Sequence, residues 1–242
     1  MSGFAGDIGL ANRMLLALPP YERNRLMPSL KLVELERGQI ICRLGEKIRQ
    51  FYFVNRGIVS LVHIMRDGRT VEIGTTGIEG LTTPEGAFGI DTAIFQNMVQ
   101  VPGSAFVIDK AVLRDAMGTC HILGALFQGY VCAAAHQIGQ TAACNRLHSL
   151  DERLCRWLLT AHDSARSDTF SLTHEFLAMM LGVQRAGVSV SAMNLQKAGF
   201  ISYRHGLVTI IDRAGIEASA CECYGVIREQ FDRLFGRAMS FA

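Results

Sequence analysis

Short hydrophobic runs separated by glycine turns fill the first half of the chain. The runs at 30–35, 58–64 and 99–108 have the length of strands, and Asp67-Gly68 is a strong hairpin signal. Gly57 ends another short run and predicts a further turn. Strand signals at intervals of about 8–12 residues predict an all-β sandwich or barrel. Residues 10–29 predict a helical segment before it.

Helical periodicity replaces this pattern near residue 109. Asp109 predicts the N-cap of a short helix that ends at Met117. Residues 116–145 contain no Asp, Glu, Lys or Arg, and their side chains recur every three or four positions, which predicts one long buried helix. A bilayer span needs about 20 apolar residues, but the glutamines, histidines and glycines here favour burial within a protein. Because a small β domain covers only one side of such a helix, the other side predicts a partner subunit.

We expect the long helix to pair with a second copy of the chain through the face that recurs at this spacing. The predicted dimer contacts are Leu123, Leu126, Tyr130, Ala133 and Gln137. Gln137, Gln140 and Thr141 have a second interpretation, in which they face the β domain and touch a ligand, but we favour the dimer interface.

Residues 171–211 read as helix, glycine turn, helix and a two-stranded hairpin. Thr173 predicts the N-cap of the first helix, which runs to Leu181, and Gly182 supplies the turn. The second helix spans about 184–197, and two strands flank Arg204-His205-Gly206. This order is typical of a winged helix-turn-helix, whose second helix enters the major groove of DNA. The alternative is an ordinary helical hairpin followed by a β-turn.

The candidate DNA contacts divide into base-reading and phosphate-binding residues. Near the start of the second helix, Arg suits guanine and Gln suits adenine, so the predicted base-reading residues are Gln184, Arg185 and Ser189. The predicted phosphate contacts are Thr173, His174, Lys197, Arg204 and His205. Gly187 costs the second helix about 1 kcal/mol relative to Ala, so we expect DNA to help order it.

Composition narrows the function classes further. The 242 residues include 24 Lys and Arg against 22 Asp and Glu, so the net charge of +2 excludes a bulk polycation and any DNA site must be local. Seven cysteines in no disulfide pattern and an N-terminus unlike a signal peptide indicate a cytoplasmic protein. No nucleophile elbow, His-Glu-x-x-His or phosphate-binding glycine loop is present, which argues against an enzyme.

These features together resemble the CRP/FNR superfamily of transcription regulators along almost the whole chain. The resemblance rests on the glycine-punctuated β segment, the long uncharged helix, the segment 145–159 and the winged helix. It implies an α+β fold, with an N-terminal double-stranded β-roll that is jelly-roll-like, a long dimerisation helix and a C-terminal winged helix-turn-helix. The expected domains are a sensor at 1–118, a central helix at 119–146 and a DNA-binding domain at 147–242.

The resemblance also implies partners. A homodimer joined along the central helix would read a palindrome whose half-sites lie one helical turn, about 34–36 Å, apart. Contact with RNA polymerase is a family expectation. Well-known members carry a Glu one residue after the Arg185 position and an Arg five residues after it, whereas this chain has Ala186 and Val190. The preferred DNA sequence is therefore expected to differ from theirs.

The sensor segment lacks the ligand-binding residues of relatives whose ligands are known. Cyclic-nucleotide-binding members hold the ribose with a Glu and the phosphate with an Arg, but Leu81 stands at the Glu position and no Arg or Lys lies between Arg69 and Lys110. A buried phosphate without a cation is costly, so we expect no cAMP binding of the usual kind. Oxygen-sensing members use N-terminal cysteines, and this chain has none before Cys42.

We therefore expect no cofactor and no metal. His63, His121, His136 and Cys42 are weak haem candidates. Cys221 and Cys223 read as a surface cysteine pair, with a metal or redox role as the alternative. The alternative function is a small-molecule module, for a cyclic nucleotide, haem or another ligand, whose helical half binds a partner other than DNA.

Overall fold

The computed structural model describes residues 9–238. Strands occupy most of the first half and helices most of the second, as the hydrophobic pattern predicts. In chain order the elements are α1 (Arg13–Leu16), α2 (Pro20–Leu26), β1 (Lys31–Leu35), β2 (Ile40–Cys42), β3 (Gln50–Ile64), β4 (Thr70–Thr76), β5 (Gln96–Asp109), α3 (Lys110–Thr119), α4 (His121–Leu147), α5 (Leu150–Ala165), β6 (Thr169–Ser171), α6 (His174–Leu181), α7 (Arg185–Lys197), β7 (Ile201–Arg204), β8 (Leu207–Ile210), α8 (Arg213–Ser219) and α9 (Cys223–Ala238).

The N-terminal sheet is an antiparallel β-roll built on two long strands. Strands β1, β5, β3 and β4 pair in that order, and β2 pairs with β5. The predicted hairpin at Asp67-Gly68 joins β3 to β4. The predicted turn at Gly57 is wrong, because β3 continues through it with shifts of register on either side. Gly57 has φ +92, and a Cβ there would collide with the Val101 carbonyl, so the glycine permits a bulge rather than a turn.

Asp109 begins α3 without capping it through its side chain. Its position is the N-cap, as predicted, but its carboxylate accepts a hydrogen bond from Gln50 Nε2 at 2.9 Å instead of a backbone N–H of the helix. The neighbouring strand β3 supplies this partner, so the residue joins the roll to the helix.

Most of the long uncharged stretch forms α4, although its first four residues, 116–119, end α3 and the backbone breaks at Cys120. Helix α4 packs against the β-roll on one side and α9 on another. Phe127 meets Phe51 and Phe53 edge to face in one hydrophobic core, and Phe231 of α9 lies against Tyr130. No single helix among the described residues is long and apolar enough to cross a membrane. Only the pair α6 and α7 passes that test together, by length and composition alone, and its axes are bent by 108°.

A second core joins the β-roll to the C-terminal helices. Ile58, Val62 and Val101 of the roll pack with Trp157 of α5 and with the side chains of α6–α8. Glu72 of β4 is buried at this junction, where it accepts hydrogen bonds from Ser60 Oγ and from Trp157 Nε1, the latter at 3.2 Å. Burial raises the pKa of Glu72 from 4.5 to about 7, against the opposing effects of Ser60, Arg156 and Trp157.

This buried carboxyl predicts a pH-dependent stability. The folded chain holds the Glu72 proton more tightly than the unfolded chain, so stability should fall as pH rises from about 4.5 through 7 and stay low above that. Glu72→Gln, which imitates the protonated form, should raise the free energy of unfolding at pH 8 by on the order of 2–3 kcal/mol.

Urea denaturation of Glu72→Gln and wild type at pH 5 and pH 8 measures this effect. The exposed Glu34→Gln is the control and should behave like wild type at both values. Equal stability of Glu72→Gln and wild type at pH 8 would show that Glu72 is not the buried proton site.

Candidate nucleic-acid interface

Helices α6 and α7 cross at the angle of a helix-turn-helix. Their axes differ by 108°, within the range of about 90–120° typical of the motif. Gly182 ends α6 in the left-handed conformation with φ +63, as its place in the turn predicts. Leu177, Ala178 and Val188 are buried in one hydrophobic cluster that holds the two helices together.

The hairpin after α7 is a wing with a two-residue turn. His205 and Gly206 both have positive φ, +50 and +76, as a type I′ turn requires. Strands β7 and β8 flank this turn, and β6 adds a third strand beside β8. The sequence pattern showed no strand at 169–171, because three residues are too few to show alternation. The cross-strand pairing of Phe170 with Val208 creates that strand.

The start of α7 is open to solvent, as a base-reading element must be. Gln184 is the N-cap, Arg185 is the first helical residue, and both are exposed. Arg185 Nε lies 2.9 Å from Glu175 Oε1, with 66% and 64% of the two side chains exposed. An ion pair this exposed contributes at most about 1 kcal/mol. Arg185 is therefore held at the surface and can exchange Glu175 for another partner at little cost.

An apolar stripe continues from Arg185 along the outer face of α7. Ala186, Val190 and Met193 lie on it, and the last two are 53% and 44% exposed. Apolar side chains in the major groove contact the methyl group of thymine. Met193 was missed in the sequence pattern, because only its exposure distinguishes it from a core methionine.

Ser189 and His174 are half-buried and bonded to each other, unlike the exposed Gln184 and Arg185. The Ser189 hydroxyl lies 2.9 Å from His174 Nδ1 and donates to the Arg185 carbonyl at 3.1 Å. The His174 ring stacks on Tyr203 at 4.4 Å, and its Nε2 is buried without a partner among the described residues. Burial, followed by the charge of Arg185, lowers the pKa of His174 and keeps the ring neutral near pH 7. His174 therefore links α6 to α7 and the wing, which corrects its placement at a phosphate.

The other predicted phosphate contacts differ in exposure. Lys197, Arg204 and His205 are exposed at the end of α7 and on the wing. Thr173 is half-buried and caps α6, as predicted, by accepting a hydrogen bond from the Phe176 backbone N–H at 3.3 Å. It can offer DNA its neighbouring backbone rather than a free hydroxyl.

Gly187 has a packing role within α7. A Cβ at this position would lie 3.2 Å from Leu150 Cδ2 of α5, closer than an ordinary contact. The glycine therefore lets α7 approach α5 closely. The contact between α7 and α5 therefore explains why a glycine stands at position 187 without reference to DNA.

The Gly80-Leu81 segment, where the resemblance places the nucleotide-binding Glu of relatives, packs against Tyr130 of α4. Leu81 is fully buried, and the Tyr130 ring lies so close to Gly80 that a Cβ there would collide with it. The Tyr130 hydroxyl donates to the Leu81 carbonyl at 3.1 Å. Lys110, the nearest cation beyond this segment in sequence, pairs with Asp91 at 2.6 Å. A nucleotide phosphate near Leu81 would therefore meet an apolar side chain.

The residues weighed as haem ligands are not gathered into one pocket. His63, His121 and His136 are exposed on β3 and α4, whereas Cys42 is buried on β2. A cavity of about 390 Å³ lies elsewhere, between the β-roll, α4, α5 and α9. Its wall includes an Arg13–Asp232 ion pair at 2.7 Å.

The face of α4 predicted at the dimer interface is occupied within the subunit. Leu123, Leu126, Tyr130, Ala133 and Gln137 are all buried against the chain's own β-roll and α9. Gln137 Oε1 accepts from the Thr75 backbone N–H at 3.3 Å, so this residue faces the roll. The spacing of three and four residues shows which side chains share a face of α4 but not which neighbour covers that face. The predicted dimer interface is therefore wrong, because it lies on the side of α4 that the β-roll covers.

Cys221 and Cys223 are buried, which corrects their reading as a surface pair. Cys144 of α4 joins them, with its Sγ 3.5 Å from Cys221 Sγ. The hydrogen bond between these two groups lowers the pKa of Cys144 and raises that of Cys221. The seven cysteines, all within the described residues, are free thiols.

Two family models match the chain. The cyclic nucleotide-binding domain matches residues 32–120, and the Crp-like helix-turn-helix domain matches residues 152–219. The chain is thus a DNA-binding transcription regulator with a cyclic nucleotide-binding-like domain. It belongs to the CRP/FNR superfamily. A comparison with curated proteins gives no match.

Several solved structures share the fold. FixK2 from Bradyrhizobium japonicum has a TM-score of 0.66 at 13% identity and covers 79% of this chain and 98% of its own. The c-di-GMP-responsive global regulator CLP of Xanthomonas campestris has a TM-score of 0.61 at 17% identity, with coverage of 79% and 99%. A CRP-family regulator from Thermus thermophilus also reaches 0.61, at 20% identity, with coverage of 78% and 96%. These are likenesses of fold.

Proposed function

We propose that this regulator acts as a homodimer and reads a palindromic DNA site through α7. The observation that carries the proposal is the exposed start of α7, with Arg185 at the surface beside Val190 and Met193. In this proposal Gln184 and Arg185 contact the bases. Ser189 stabilises the start of α7 by donating a hydrogen bond to the Arg185 carbonyl. Lys197, Arg204 and His205 are placed to contact phosphates.

The dimer contact is proposed on the outer face of α4, opposite the residues buried by the β-roll. Exposed positions there alternate at spacings of three and four, which is the heptad spacing of a coiled-coil seam. They are Ala125, Gln128, Cys132, Ala135, Gly139 and Ala142. The stripe is uncharged, and its small residues allow a second helix to approach closely. Two-fold pairing of such a seam would present two copies of α7 to two symmetric half-sites.

The proposed domain roles follow this arrangement. Residues 1–118 form the sensor, 119–146 the dimerisation helix and 147–242 the DNA-binding part, although 1–8 and 239–242 lie outside the described residues. We place the protein in the cytoplasm, where its thiols stay reduced, and expect it to contact RNA polymerase. The effector is left open, apart from cAMP bound in the usual manner, which we do not expect.

Calorimetric titration with cAMP tests the sensor part of the proposal. Because Tyr130 packs against Gly80-Leu81 and no Arg or Lys lies between Arg69 and Lys110, cAMP should bind more weakly than about 1 mM. A saturable site with a dissociation constant near 1 μM, at one ligand per chain, would contradict the proposal. Such a result would favour the alternative in which the roll is a cyclic-nucleotide module.

A further inference from the structure

Three cysteines and one histidine from distant parts of the sequence meet at the end of the central helix. Cys144 lies in the last turn of α4 and His148 is the C-cap of that helix, whereas Cys223 is the first residue of α9 and Cys221 comes just before it. Their ligand atoms all lie within 4.8 Å of one another. The three cysteines are buried and His148 is half-buried, so the cluster is closed to bulk solvent on most sides.

The spacing of the donor atoms fits a tetrahedral zinc ion. Zinc bonds of about 2.3 Å to sulfur and 2.0–2.1 Å to nitrogen imply edges of about 3.8 Å between sulfurs and about 3.6 Å between sulfur and nitrogen. Cys144 Sγ lies 3.5 Å from Cys221 Sγ, and Cys223 Sγ lies 3.5 Å from His148 Nδ1. The remaining edges require side-chain adjustments of up to about 1 Å.

The surroundings are suited to thiolates. Gln140 Nε2 donates to Cys223 Sγ at 3.0 Å, a hydrogen bond of the kind that orients metal ligands. Arg153 and Arg156 of α5 are largely buried beside the sulfurs, and their charges act on Cys144. Three thiolates, a neutral imidazole and Zn²⁺ carry one net negative charge, which these cations offset. Arg156 Nε has no hydrogen-bond partner among the described residues.

We propose that Cys144, His148, Cys221 and Cys223 bind one Zn²⁺ ion in a closed structural site. On binding, each thiol gives up its proton, and the imidazole binds through Nδ1 in its neutral form. All four ligands come from the protein, so no position is left for substrate or catalytic water. The ion fastens the end of α4 to the start of α9, and therefore fixes the helix that leaves the β-roll to the C-terminal helix of the DNA-binding half.

A disulfide between Cys144 and Cys221 is the competing use of these atoms. Their 3.5 Å separation would have to shrink to about 2.05 Å. That bond would use neither Cys223 nor His148, although both side chains point into the same cluster. The four-ligand site accounts for all of them.

The test measures metal directly on the full-length protein. Wild type is purified with a non-chelating reductant, equilibrated with Zn²⁺, passed through a desalting column and analysed by plasma mass spectrometry. We expect one zinc per chain. Replacement with Co²⁺ should give the intense visible bands of a tetrahedral thiolate complex, a signature that a buried thiol cluster or a disulfide does not produce.

Variants identify the ligands. Cys223→Ser and His148→Gln should each weaken zinc binding at least about tenfold. His136→Gln, at an exposed histidine on the same helix and outside the proposed dimer stripe, should keep one zinc per chain. Far-UV circular dichroism checks that each variant folds. If a variant does not fold, the cobalt spectrum of wild type still tests the proposal. Wild type without zinc, full retention of zinc by folded Cys223→Ser, or a metal-free Cys144–Cys221 disulfide in zinc-equilibrated protein would each overturn the proposal.

Discussion

Replacing Ala135 by glutamate should turn the proposed dimer into monomers and lower affinity for a palindromic duplex by about 100-fold or more. Ala135 lies at the middle of the exposed stripe on α4. A two-fold seam would bring two glutamates together away from water, which is strongly unfavourable. Loss of the dimer removes the intramolecular second contact, whose effective concentration contributes about 10²–10⁴-fold to affinity.

Sedimentation equilibrium and DNA titration measure the two effects on the same preparation. Ala111→Glu is the matched control, because Ala111 is an exposed alanine on α3 outside the stripe. Glutamate is a good helix former, so neither variant should unfold the subunit. If Ala135→Glu stays dimeric and binds like Ala111→Glu, the seam lies elsewhere.

Removing the Arg185 side chain should abolish discrimination at one base pair of each half-site. A bidentate contact to a base is worth about 1–3 kcal/mol, so Arg185→Ala should reduce the preference for the correct base by about 5–150-fold. Loss of the ion pair with Glu175 should cost little stability, since both side chains are largely exposed. Competition between matched and single-mismatch duplexes provides the measurement.

Lys197→Ala separates base reading from phosphate binding. This variant should weaken all duplexes alike and lower the slope of affinity against salt by about one unit, without changing sequence preference. The interpretation of Arg185 fails if Arg185→Ala discriminates between the duplexes as well as Lys197→Ala does.

The sequence was informative wherever local chemistry decides structure. Helix α6 begins after Thr173 and ends before Gly182, as predicted. The side-chain oxygen of Thr173 caps the helix start, and the positive φ of Gly182 suits the helix end. Gly57 was misread, because a glycine that allows a turn also allows a close backbone approach. Only the pairing of β3 with β5 decides between the two.

The candidate site was less predictable, because partners distant in the sequence decide it. Helical spacing grouped Leu123 with Tyr130 but could not show that the subunit's own β-roll covers them. From the sequence His174 is a candidate phosphate ligand, but in the structure its ring stacks on Tyr203. The close pair Cys221 and Cys223 offered a metal role only as an alternative, because the other two ligands, Cys144 and His148, lie more than 70 residues earlier and only the packing of α9 on α4 brings them near.

Selection of bound duplexes from a random DNA pool tests the central claim most directly. The full-length protein is used without added ligand, and again with cell extract to supply an effector. A symmetric pair of half-sites whose centres lie one helical turn, about 34–36 Å, apart is the predicted result. Enriched sequences without inverted symmetry, or no enrichment under either condition, would contradict a dimer that reads DNA through α7.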